Sequence, residues 1–159
     1  MNIILVSDSH GRIDLLEKLC EKASQAKIKH IIHAGDLVVY DVEKIFAKYP
    51  DITFHIAKGN ADVNEEVLDK IKKLKNCMLK EVIEVEFEGV HFAISHIEGV
   101  AQSQLQGTAD VFCHGHTHRA KQEERDGFKV LNPGALCEGG GFFLINLPSL
   151  KIKLLNIGL

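Results

Sequence analysis

The feature that most constrains this chain is repeated along it: a short, unbroken apolar run that ends in a glycine and an Asp, Asn or His. Ile3 to Val6 is the first such run, and four consecutive apolar residues suit a strand buried on both faces. It is followed by Asp8 and His10, an oxygen and a nitrogen ligand two residues apart, and by Gly11, which frees the backbone to turn into a helix. Open α/β sheets gather their chemistry at the C-terminal ends of strands. If the strand pleat continues, Asp8 and His10 point the same way. Alone, the pair reads more readily as a helix cap, Asp8, and a loop residue, His10. The repetition decides otherwise.

Ile13 to Ala26 places Ile13, Leu16, Leu19, Cys20 and Ala23 at three- and four-residue spacings, the stripe of an amphipathic helix. His30 to Gly35 is a second apolar run, with Asp36 directly after it, so a βαβ unit with parallel pairing brings Asp36 to the sheet edge that carries Asp8. Asp41 to Lys48 reads as a short helix capped by Asp41 and ended by Pro50-Asp51. A third strand, Ile52 to Ala57, runs into Lys58-Gly59-Asn60-Ala61-Asp62, and Asn64 to Leu74 is a charged helix with an apolar stripe. From Val82 the period becomes two: Val82 to Phe87, a Glu88-Gly89 turn and Val90 to Ser95 form a hairpin. His91 lies inside that second strand and is an ordinary strand residue, whereas His96 stands at its end. Val100 to Gln106 fits a short helix and a glutamine-rich loop equally. Val111 to Cys113 leads to His114-Gly115-His116-Thr117-His118, the densest ligand cluster in the chain. Ala120 to Glu124, Phe128 to Leu131, Phe142 to Leu147 and Ile152 to Asn156 are further strands, expected to be antiparallel.

The 159 residues are expected to form one domain, 1–159, with no linker, repeat or low-complexity segment. A net charge of -3 with interspersed lysines and acids provides no basic stripe, so nucleic acid is not an expected partner. No arginine-flanked apolar stretch of the signal-peptide kind occurs at the N-terminus, and no apolar run approaches the ~18 residues that span a membrane. A soluble, cytoplasmic protein with no membrane partner is therefore expected. Cys20, Cys77, Cys113 and Cys137 form no C-x-x-C pair and are expected to be reduced thiols.

Gathered from the strand ends, the candidate ligands are Asp8, His10, Asp36, Asn60, His96, His116 and His118. Two carboxylates, an amide oxygen and four imidazoles exceed one tetrahedral zinc and suit two divalent ions that activate water. Two metals about 3.5–4 Å apart clamp the attacking and leaving oxygens of a displacement at phosphorus. Asp36 is placed to bridge them.

The ordered series Asp8-x-His10, Gly35-Asp36, Gly59-Asn60, His96 and Gly115-His116-Thr117-His118 resembles the calcineurin-like metallophosphoesterase superfamily, from the first strand to about residue 134. The short length and the Asn132-Pro133-Gly134 turn are most similar to its small bacterial and archaeal phosphodiesterase branch. The resemblance implies an α/β (α+β) fold of two packed β-sheets flanked by helices, a four-layer αββα sandwich. It also implies Asp8, His10 and His118 on one metal, Asn60, His96 and His116 on the other, and Asp36 between them. The same likeness implies a metal-bridging hydroxide as nucleophile and Asp36, Asn60 and His96 at the reacting centre. Small phosphodiesters are the implied substrates. Two divalent ions are the implied cofactors, Mn²⁺ first, with Ni²⁺, Fe²⁺, Co²⁺ and Zn²⁺ open.

His114 and His33 read as supporting residues that brace the ligands. Three positions depart from the family pattern. Ala61 stands where many members carry a histidine that protonates the leaving group, Ile97-Glu98 replaces Gly-His after His96, and Ala135 replaces a serine after the Asn-Pro-Gly turn. Without the first, Glu98 and His33 become candidate proton donors. A protein-binding scaffold of the retromer-subunit type, with a vestigial metal site, is the alternative function, and a nuclease is a weaker third. The physiological substrate and the oligomeric state, a homo-oligomer included, stay open.

Overall fold

The computed structural model describes residues 1–38, 40–105 and 108–158. In chain order its elements are β1 (Asn2–Val6), α1 (Ile13–Gln25), β2 (His30–His33), α2 (Val42–Lys48), β3 (Thr53–Ala57), α3 (Glu65–Lys72), β4 (Cys77–Lys80), β5 (Val82–Phe87), β6 (Val90–Ser95), α4 (Val100–Gln104), β7 (Val111–Cys113), β8 (Lys121–Arg125), β9 (Phe128–Asn132), α5 (Leu136–Gly139), β10 (Gly141–Asn146) and β11 (Lys151–Asn156). Boundaries expected from the pattern hold within a residue or two, the usual fraying at element ends. Val100–Gln104 resolves as a helix, and Gln106 lies outside the described residues.

Two sheets result. One has the order β11-β10-β1-β2-β3-β4, the other β5-β6-β7-β9-β8. Strands β1 to β4 are parallel, and β10 and β11 add antiparallel to the β1 edge. The second half of the chain is not simply antiparallel: β6, β7 and β9 run parallel, because α4 crosses over between β6 and β7. Strand β4 and helix α5 have no counterpart in the sequence reading, since each is only four residues long and too short to display a period.

The period-two geometry of β1 distributes one apolar run over two cores. Ile4 and Val6 face α1 to α3 with Leu16, Phe46, Phe54 and Ile71, while Ile3 and Leu5 face the second sheet with Phe92, Ile94 and Val111. On the outer face of the second sheet, Ala93 and Phe112 pack with Ala101 and Leu105. The layers are therefore helix, sheet, sheet, helix, as the resemblance implied. All four cysteines are free, and burial pushes the Cys20 thiol up to about 12. Among the described residues no helix is long and apolar enough to cross a membrane.

At the N-terminal end of the parallel strands, His30 Nδ1 and His55 Nε2 lie 3.2 Å apart beneath the Phe87 ring. Burial, with His30 adding to it, pushes His55 down to about 4 from its ordinary 6.5. Unfolding therefore takes up a proton between those values, so the stability contributed by neutral His55 is complete above about pH 6.5 and is lost as pH falls toward 4. The full loss is on the order of 3 kcal/mol. Calorimetry of the metal-free protein is expected to show a melting temperature that declines across this window, with a shallower decline in His55→Leu.

Candidate metal centre

Each predicted ligand sits just past the C-terminal end of a parallel strand: Asp8 after β1, Asp36 after β2, Asn60 after β3, His96 after β6, and His116 and His118 after β7. Both sheets direct these ends to one edge of the sandwich. The pleat does not continue past β1 as the pattern suggested. Asp8 and His10 instead adopt positive φ (52° and 39°), as do Asp36 (59°), His116 (65°) and His118 (59°). Such backbone costs roughly 1–2 kcal/mol per residue and persists only where surrounding bonds hold it. Here the Asp8 N–H donates to Gly35 O at 3.0 Å and the His10 N–H to Asp36 O at 3.1 Å, joining the β1 and β2 loops.

Within this frame the side chains converge. His118 Nε2 lies 3.3 Å from Asp8 Oδ1 and 3.1 Å from His10 Nε2, and His10 Nε2 is 3.6 Å from both Asp8 Oδ1 and Asp36 Oδ2. His96 Nε2 is 3.2 Å from Asp36 Oδ2. His116 packs its ring on His96 with centroids 5.2 Å apart and donates from Nδ1 to Asn60 Oδ1 at 3.0 Å. Asp8, His10 and His118 form one compact donor group, and Asp8, Asp36 and His96 a second.

The tautomers are set from outside the cluster. The His96 Nδ1–H donates to Ala34 O at 2.7 Å, leaving the Nε2 lone pair facing the Asp36 carboxylate. Two acceptors face each other, and His96 Nε2 and Asp8 Oδ1 are both buried without a hydrogen-bond partner. Buried acceptors of this kind carry a large cost unless a cation meets them. The donor set therefore fits divalent ions. On the other side the His118 Nδ1–H donates to Glu138 Oε1 at 2.5 Å, and this bond is the main reason that the His118 pKa is raised.

Three residues that the sequence reading did not single out support the ligands. Asp62, 4% exposed, accepts from the backbone N–H groups of Asp36 (2.9 Å), Val38 (2.9 Å) and Gly59 (2.8 Å), tying the β2 and β3 loops together. Asn132, noted only as part of a turn, donates to Gly115 O at 2.8 Å and Thr117 Oγ1 at 3.0 Å. Glu138 is carried on α5, which docks through Leu136 N–H to Ser7 O and Cys137 N–H to Asp8 O. Asp62 could have been found from its place in the Gly-Asn-Ala-Asp segment; Glu138 leaves no local signal. The glycines before ligands are spatial requirements. A Cβ at Gly59 would fall on the Asp36 carboxylate, one at Gly115 on Ser7 Oγ, and one at Gly35 on the His96 ring.

The two candidate proton donors do not serve. His33 accepts the Gly35 N–H at Nδ1 and spends its Nε2–H on Ser9 Oγ at 3.0 Å, and burial pushes its pKa down to about 4. Burial alone would raise the Glu98 carboxyl, but Lys121 at 3.0 Å and the charges of His114 and Arg125 outweigh it and keep Glu98 ionised. His114 is buried beside Asn132, bracing the loop as expected. His91 points to Glu86 on the hairpin, away from the cluster.

A model of the calcineurin-like phosphoesterase superfamily domain matches residues 1–143. The phosphodiesterase MJ0936 of Methanocaldococcus jannaschii is 31% identical over 159 residues, covering 96% of this chain and 92% of the relative. The solved structure of an archaeal phosphodiesterase superposes with a TM-score of 0.82 at 23% identity, covering 98% of this chain and 99% of that one. Vps29 of Entamoeba histolytica superposes with a TM-score of 0.68 at 18% identity, covering 98% of each chain. The chain belongs to the calcineurin-like phosphoesterase superfamily. A metal-using fold of two sheets flanked by helices is the shared frame.

If Glu138 orients His118 toward a metal, Glu138→Gln is expected to weaken binding at the Asp8, His10 and His118 group by about 10- to 100-fold, the usual effect of losing a carboxylate behind a ligating histidine. Calorimetric titration of the metal-stripped protein with Zn²⁺ measures it, and the Asp36 and His96 group is expected to keep its affinity.

Proposed function

We propose that this chain hydrolyses small phosphodiesters with two divalent ions, one held by Asp8, His10 and His118, the other by Asn60, His96 and His116, with Asp36 reaching both. The observation that carries the reading is the pair of buried, unpartnered acceptors, Asp8 Oδ1 and His96 Nε2, among the donor atoms of His10, Asp36 and His118. When bound, such ions supply a water made nucleophilic at neutral pH and positive charge for the phosphoryl oxygens.

The chain's own groups do the rest. The Ala61 N–H holds Asp36 Oδ1 at 2.8 Å, which leaves Oδ2 toward His96 and His10. Asp62 fixes the Asp36 backbone, so the carboxylate cannot swing out to solvent. Beside the cluster lies a recess of about 300 Å³ that Asn60, His96 and Lys58 share with Glu81, Val63 and Ile97, large enough for a small diester. Mn²⁺ is the proposed native ion among several that this mixed oxygen and nitrogen set accepts.

Vps29 is the neighbour on which the scaffold alternative rests, and its likeness is one of fold alone. The two readings part on a direct test. Asp36→Asn is expected to lower Mn²⁺-dependent phosphodiester turnover by several orders of magnitude while thermal melting shows an intact fold, and His91→Ala is expected to leave the rate unchanged. Retention of more than about a tenth of the wild-type rate in Asp36→Asn removes Asp36 from its assigned place. A wild-type protein that binds metal but turns over no ester supports the scaffold.

Ala61 has a kinetic consequence. General acid help is worth ~10²–10⁴-fold, most for poor leaving groups, and neither Glu98 nor His33 supplies it. The departing oxygen leaves without a proton from either. Turnover of aryl phosphodiesters is therefore expected to depend steeply on leaving-group pKa, and simple alkyl diesters to react slowly. A rate independent of that pKa, under single-turnover conditions, refutes this account of the leaving group.

A further inference from the structure

Large exposed apolar side chains are unevenly placed on this molecule. Val38 (44% exposed), Tyr40 (74%), Val63 (75%) and Ile97 (45%) all lie on the loops that carry the metal-centre residues or directly follow one of them. Val63 stands between two recesses: one that contains Asn60 and His96, and a second, more apolar one of about 250 Å³ on the side of Ala61.

The second recess is a different kind of space. Its floor is Val67, Leu68 and Ile71 of α3, all buried, and its rim is Val38, Tyr40 and Val63. The acid and amide in its wall are already occupied, Asp62 by three backbone N–H groups and Asn64 by the Val67 N–H at 3.2 Å. Among the described lining residues there is no lysine or arginine. An engineered apolar cavity of about 150 Å³ stays dry and takes up benzene, so the space here accommodates one substituted aromatic ring. It adjoins the metal centre through Ala61, whose N–H holds Asp36 Oδ1 while the residue also lines the recess. A histidine-sized side chain at position 61 would compete for this space.

We infer that this recess is a binding subsite for a planar aromatic ester group of the substrate, so that the preferred substrates are phosphodiesters with one aromatic arm. The inference rests on the phosphodiesterase reading and specifies its substrate class. The phosphate lies over Asp36 and Asn60, and the ring enters beside Ala61, between Tyr40 and Val63. Concavity and depth favour a small ring over a protein partner, which presents area to a flat surface.

Two measurements test it on the full chain. In the first, methyl NMR of the Zn²⁺-loaded protein is titrated with phenylphosphonate and with methylphosphonate. Phenylphosphonate is expected to shift the Val67, Leu68 and Ile71 methyls, and methylphosphonate to leave them in place; equal shifts, or none, overturn the subsite. In the second, Tyr40→Ala and Tyr40→Ser, at an exposed rim position outside the Asn60 and His96 recess, are assayed with bis(4-nitrophenyl) phosphate and Mn²⁺. A KM raised about tenfold or more, with kcat changed less than twofold and inhibition by inorganic phosphate unchanged, is expected. An unchanged KM overturns the subsite while the phosphodiesterase reading stands, and so does a Tyr40→Ala variant whose only effect is to split a dimer on sedimentation. If no ester is turned over, the phosphodiesterase reading fails and the phenylphosphonate titration alone decides the subsite.

Discussion

Two buried carboxylates, Asp8 and Asp36, set the terms for the rest of this structure. Each is almost fully enclosed, and Asp8 Oδ1 has no protein hydrogen bond. A bare carboxylate in that position costs several kcal/mol unless positive charge meets it. The molecule instead surrounds both acids with imidazole nitrogens turned lone pair inward, through bonds made on the far side of the rings at Ala34 and Glu138. The site is assembled for a cation before one arrives.

That arrangement explains why the backbone around it is unusual. Two sheets must deliver their strand ends to one point, and no ligand lies more than five residues past the end of its strand. There is no room for a relaxed turn, so five of the ligands sit at positive φ and the neighbouring glycines leave space for the carboxylates they border. Asp62 and Asn132 hold these loops by satisfying backbone donors or spanning carbonyls. The strain is distributed at the site and opposed by the sandwich core, which is far larger.

The apolar rim adds a second layer to the same design. Val38, Tyr40 and Val63 belong to loops whose other residues hold Asp36 and Asn60, so in the proposed function the organic group and the phosphate would meet at Ala61. Alanine at this position offers no side-chain proton donor and lines the recess. One residue thus bears on leaving-group chemistry and on substrate shape.

Much of this was legible in the chain. The unbroken run Ile3 to Val6 specified a strand with two buried faces, and glycine followed by Asp, Asn or His marked the strand ends, because period and composition are local properties. The seven candidate ligands were picked out for the same reason. What the sequence could not carry was anything set by meeting across the fold: the parallel course of β6, β7 and β9, the short elements β4 and α5, the three bonds of Asp62, and the approach of Glu138 to His118 across twenty residues. Residue types and their order determined which chemistry the chain can hold. Only the packing of two sheets decided which nitrogen faces which oxygen, since tautomer, burial and recess volume are consequences of distance in space and not of distance along the chain.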